Sequence, residues 1–165
     1  MARKKQTKVV FAPDDVFLVP LGDGTSSVGQ VLAIEQGTLG SVLCAFFDLR
    51  LSAQSALKVT DLSVDHLTSI LFVSNNLLEE GAWNVLANIP HFDYSQFIDI
   101  EKLRAKKFVG IRVVGCDYVA EFLRAYHALC PWNDWHDPAY LDTLLISSDK
   151  KPKHLVMKNG KNTRI

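Results

Sequence analysis

Cysteine is scarce: there are three, Cys44, Cys116 and Cys130. The number is odd and none forms a C-x-x-C pair, so neither a disulfide framework nor a structural zinc site is expected. Buried free thiols are the simplest expectation. No run approaches the roughly 20 apolar residues that span a bilayer, and the basic N-terminus lacks the apolar core and cleavage site of a signal peptide. A cytoplasmic protein without a membrane segment is therefore expected. The nucleotide-binding loops, the zinc-protease H-E-x-x-H and the serine-hydrolase elbow G-x-S-x-G are all missing. No cofactor and no metal is expected. Internal repeats and low-complexity segments are also absent.

Net charge is lacking as well, but only as a total. The 165 residues hold 18 Lys+Arg and 18 Asp+Glu. Arg3, Lys4, Lys5 and Lys8 make residues 1–8 basic, and six basic residues against Asp149 make 149–165 basic. Residues 9–148 then hold 8 basic and 17 acidic residues, a net −9. The expected organisation is a basic tail at 1–8, one acidic domain at 9–148 and a basic tail at 149–165, both tails mobile. With 48% apolar residues the chain can bury a real core. An acidic domain speeds association with a basic partner, though the same charges also serve as a solvated surface. The tails carry no aromatic residues among their charges and no motif, so nucleic acid is not the expected partner.

Hydrophobic patterning predicts strands at 16–21, 28–35, 41–51, 67–73, 83–89 and 108–114. The turn Gly22-Asp23-Gly24 makes the first two a hairpin. The third is bulky on both sides and belongs near the sheet centre. Pro20 fits a strand end or edge. Residues 91–106 read as a surface excursion whose aromatics Phe92, Tyr94 and Phe97 fold back. Val119, Phe122, Leu123, Tyr126 and Leu129 form a helical stripe, capped by Asp117 and stopped by Pro131. Asp137-Pro138 opens a second helix with Leu141, Leu144 and Leu145 on its buried face. Six strands followed by two helices predict an α+β fold, a curled and mostly antiparallel sheet covered by two C-terminal helices.

The densest polar–aromatic cluster is Trp132-Asn133-Asp134-Trp135-His136-Asp137. Asp134, His136 and Asp137 have the side chains for metal or acid–base work, but their spacing suits a turn, a helix cap and aromatic anchors better. His127 falls off the helical stripe and is expected at the surface. Cys130 precedes Pro131 at a helix end, the wrong end for an activated thiolate. Trp83 suits either the core or an exposed interface anchor. The partner-binding candidates are the turn carboxylates Asp23, Asp48, Glu79 and Glu80, with Trp83, Trp132, Asp134, Trp135 and His136. No catalytic residue is assigned.

Residues 14–35, DDVFLVPLGDGTSSVGQVLAIE, carry one distinctive pattern through Asp15, Val16, Phe17, Val19, Pro20, Leu21, Asp23, Gly24, Gly29, Val31 and Leu32. It resembles the opening hairpin of the immunity protein 26 family of bacterial polymorphic toxin systems. Residues 81–90, GAWNVLANIP, resemble that family's second recurring block. The resemblance implies a small cytoplasmic protein that neutralises a cognate toxin, such as a nuclease with a basic cleft, by binding it. The same family name covers a small phosphotriesterase, which supplies an enzyme alternative without naming residues. A non-enzymatic interaction domain unrelated to toxins is the third reading.

Overall fold

The computed structural model describes residues 7–159. Six strands form one sheet in the order β5-β1-β2-β3-β4-β6. They are β1 (Asp15–Pro20), β2 (Ser26–Ala33), β3 (Ser41–Leu51), β4 (Leu67–Ser74), β5 (Asn84–Asn88) and β6 (Val113–Val114). All neighbours are antiparallel except β4 and β6, which run parallel. Three α-helices accompany them: α1 (Asn76–Glu79), α2 (Ile100–Ala105) and α3 (Cys116–Tyr126). The fold is α+β, and the hairpin, the central β3 and the terminal position of Pro20 are as the sequence predicts.

Side chains alternate across a strand, and here both faces are buried. Phe17, Val31, Cys44 and Phe46 face the side covered by α3 and by residues 132–145. Val16, Val28, Leu43, Ala45 and Phe47 face the other side, covered by residues 89–111. β3 therefore reads as a nearly unbroken apolar run over 42–47, as a strand buried on both faces does, while β2 buries Ser27 and Gln30 among its apolar residues. Phe92, Tyr94 and Phe97 pack on this second layer, as expected of the 91–106 excursion.

The first core holds an aromatic stack made possible by Gly29. Gly29 stands opposite Phe17 on one side and Phe46 on the other. The Phe17 ring stacks on Trp83 at 5.3 Å, and Phe46 meets both edge-on at 6.0 and 6.1 Å. A Cβ at Gly29 would lie 2.4 Å from the Phe17 ring, so the glycine is there for space. Trp83, 2% exposed, is a core residue, which settles the choice left open by its position.

Three elements differ from expectation. The sixth strand pairs only over Val113–Val114, because Lys107, Phe108 and Gly110 take positive φ and break the extended run. Phe108 instead turns inward and meets Phe72 edge-on at 6.1 Å. Helix α3 starts at the N-cap Gly115, with the Cys116 N–H donating to Ser74 Oγ at 2.9 Å, and Asp117 sits inside its first turn. It stops at Tyr126, since Ala128 turns left-handed (φ 60°) before Pro131 is reached. The second helix is a short 3₁₀ segment, Tyr140–Leu144. Asp137 does cap the turn, accepting from the Ala139 N–H at 2.9 Å, and Leu141 and Leu144 are buried. The chain then leaves, because the Ile146 N–H donates to Thr68 O at 2.9 Å on β4.

Residues 149–159 are not a detached tail. Lys150 Nζ donates to the carbonyls of Val64 and Asp65 at 3.2 and 3.1 Å, and Leu155 packs against the first core. At the other end, Lys8 pairs with Glu79 at 2.7 Å. Residues 1–6 and 160–165 of the expected tails lie outside the described residues.

Candidate functional site

The hairpin motif is occupied with holding itself together. Asp23 Oδ1 accepts from the Thr25 backbone N–H and hydroxyl, and Asp23 pairs with Arg50 across the turn. These bonds, Thr25's first, hold the Asp23 carboxyl far below the usual range. Arg124 Nη1 reaches from α3 to Leu21 O at 2.6 Å, passing where a Cβ of Gly22 would stand. Of the other turn carboxylates, Asp48 bonds His66 at 2.8 Å and Glu79 bonds Lys8, while Glu80 is exposed at the end of α1. These four carboxylates, expected among the partner-binding residues, lie apart, Asp23 in the β1–β2 turn, Asp48 within β3, and Glu79 and Glu80 at the end of α1, and three of them have local partners.

Trp132 also departs from its expected role. It is 1% exposed, and its Nε1–H donates to Asp142 at 2.9 Å. It seals the first core against Phe122, at 5.8 Å. His127, expected at the surface, is half-buried. Burial, with the nearby Arg50 charge, lowers its pKa, and its Nε2 is enclosed without a hydrogen-bond partner.

What the fold does bring together at the surface is Trp135, Asp134 and His136 with residues the sequence reading did not select. Trp135 packs on Tyr140 at 4.8 Å and on Tyr118 at 5.4 Å. Tyr118 is 54% exposed, and Trp135 and Tyr140 are half-buried. The Arg112 guanidinium lies 5.1 Å from the Tyr140 ring centre and donates to Thr143 Oγ1 at 3.0 Å. Tyr, Trp and Arg, each apolar in body and polar at one end, are the residue types that dominate protein interfaces. One signal was available in advance: Tyr118 is a large aromatic on the polar side of an otherwise regular helical stripe.

Beside the patch lies a recess of about 240 Å³, lined by Glu121, Cys130, Pro131, Asp134 and Trp135. Two carboxylates and an indole suit a cationic side chain. Burial and the neighbouring Glu121 push the Cys130 thiol pKa up, which disfavours its thiolate. Asp134 is 2.7 Å from Lys158 Nζ. His136 is exposed and does not line the recess.

A larger groove, about 490 Å³, lies with the loop that covers the other face of the sheet. It is lined by His91, Tyr94 and Ser95, three carboxylates (Asp93, Asp99, Glu101) and two isoleucines. His91 Nδ1 is 2.5 Å from Asp14 Oδ1, and the His91 backbone N–H donates to the same oxygen at 3.1 Å. These bonds hold the Asp14 carboxyl below its ordinary value. Among the described residues no group of three or more His, Cys, Asp or Glu side chains is placed to hold a metal ion, and no helix is long and apolar enough to cross a membrane. Comparison with protein-family models, with curated proteins and with solved structures gives no match for this chain.

Proposed function

We propose that this chain is a protein-binding module of the immunity type, which neutralises a cognate bacterial toxin in the cytoplasm by occupying a basic surface of it. The observation that carries the reading is the surface cluster of exposed Tyr118 with half-buried Trp135 and Tyr140, beside a recess walled by Glu121 and Asp134. Rigid aromatic anchors supply contact area at low entropic cost, and the adjoining carboxylates select a Lys or Arg. The acid excess of residues 9–148 adds long-range attraction, and the two blocks resembling the immunity protein 26 family support the same class. The toxin encoded beside this gene is the partner to test. Co-expression should protect cells, and the purified pair should bind with an affinity that falls as salt rises. Tyr118→Ala and Trp135→Ala should each weaken binding by about 2 kcal/mol or more. Absence of both protection and a complex would overturn the reading.

A second reading, a small hydrolase, has one observation in its favour. The Asp14–His91 pair fixes an imidazole by one nitrogen on the wall of the 490 Å³ groove, the arrangement of an oriented general base. Turnover of an activated neutral phosphotriester that disappears in His91→Ala would support it. No turnover, with or without added divalent metal, would remove it.

A further inference from the structure

Asp134, one of the carboxylates lining the recess beside Trp135, is already paired with a cation, and the chain supplies it. Lys158 Nζ sits on Asp134 Oδ1 at 2.7 Å. Seven residues earlier, Lys151 Nζ sits on Asp142 at 2.8 Å, with the Trp132 ring centre 5.8 Å away. Between them Leu155 packs against the core. The backbone of the same segment is gripped independently of its side chains. The Trp132 N–H donates to Val156 O at 2.8 Å. Asn133 uses both ends of its amide: Oδ1 accepts from the Lys158 N–H at 2.6 Å, and Nδ2 donates to Lys158 O at 3.0 Å. The segment has no regular secondary structure of its own, and Val156, Met157 and the Lys158 side chain are 42%, 52% and 62% exposed.

Main-chain clamping, an apolar step and two carboxylates are the elements of a peptide-recognition site. We infer that residues 132–142 form a binding site for a basic segment of the pattern basic-x3-apolar-x2-basic, filled in cis by Lys151, Leu155 and Lys158 and open to a segment of the same chemistry from the protein partner. Exposed ion pairs are weak holds, so the strap is built to be exchanged. Its advantage over an incoming peptide is that it is tethered. This deepens the binding reading given above and rests on it.

The probe is a fluorescein-labelled peptide of residues 149–159, added to the full chain and to its K151A/K158A variant. The variant should bind the peptide at least about tenfold more tightly than the native chain, because the tethered competitor is weakened. Adding Asn133→Ala should remove that binding. Equal affinity for both chains, no binding to either, or binding that survives Asn133→Ala would each overturn the inference. Hydrogen exchange on the native chain is the second measurement and needs no variant to fold. Saturating peptide should speed exchange of the Lys158 amide by about tenfold, and unchanged exchange would overturn the inference. Partner capture that is equally tight for the native chain and for K151A/K158A would refute the strap and leave the binding reading standing. Peptide exchange without partner capture would do the reverse.

Discussion

Gly29→Ala adds one methyl group to the most crowded point of the first core. The added carbon would stand 2.4 and 2.5 Å from two atoms of the Phe17 ring and 3.1 Å from the Phe46 ring. Carbon atoms in contact prefer about 3.5–4.0 Å, so Phe17 must retreat by roughly 1 Å. Its freedom to move is small: its ring is stacked on Trp83 with the rings 6° from parallel, and both side chains are buried. Overpacking usually costs about 1–3 kcal/mol. The rigid, two-sided contact places this substitution at the upper end. Alanine's better backbone entropy returns up to about 1 kcal/mol, leaving an expected loss near 2 kcal/mol. Urea unfolding followed by far-ultraviolet circular dichroism would read it as a lower midpoint at unchanged slope. Phe17→Leu should relieve the clash, so the double variant should be less destabilised than the sum of the two single changes by about 1 kcal/mol or more. A loss for Gly29→Ala below about 0.5 kcal/mol, or strict additivity with Phe17→Leu, would refute the steric account.

Gly22→Ala and Gly24→Ala form a matched pair, since both glycines sit at φ near +85° but only a Cβ at Gly22 meets Arg124, at 2.6 Å. Both should lose about 1–2 kcal/mol to backbone strain, and urea midpoints should show the larger loss at Gly22. Acid should destabilise the fold below the ordinary aspartate range. His91 holds Asp14 ionised and Lys151 holds Asp142 ionised, so their depressed folded values stabilise above the unfolded value of 3.8 and that contribution is lost as pH falls through them. Asp14→Asn should flatten the stability profile between pH 5 and about 2, and an unchanged profile would count against the assignment. A thiol reagent should label Cys130 first and slowly in the native protein, faster as pH rises. Cys44, buried and with its thiol pKa pushed up by burial, should react only on unfolding.

The sheet was legible because its strands are defined locally. Val16–Leu21 and Ser41–Leu51 are largely apolar runs, the first ended and the second opened by a glycine turn, and such runs need no tertiary information to be recognised. Phe108–Val114 misled because its alternation is strand-like, while the backbone conformation at Lys107 and Phe108 is decided by the burial of Phe108 against Phe72. The second helix misled for a similar reason: Asp137-Pro138 is a valid start, but a bond to Thr68 ends the turn early. At the candidate site, Asp134, Trp135 and His136 stood out as a local cluster. Tyr118 and Arg112 join them only because α3 and the chain before it pass alongside. The local partners of the carboxylates were not legible, because composition does not reveal that Arg50, His66 and Lys8 stand opposite Asp23, Asp48 and Glu79.

The sheet divides the apolar interior in two, and the three tryptophans are not shared between the halves. Trp83, Trp132 and Trp135 all belong to the layer beneath α3. The layer beneath residues 89–111 holds phenylalanines, a tyrosine and aliphatic side chains, and no indole. Intrinsic fluorescence therefore watches one side of the molecule. If the two layers loosen at different denaturant concentrations, the emission will follow the α3 side and stay silent about the other, and a transition that looks like a single step by fluorescence will describe only half of the interior.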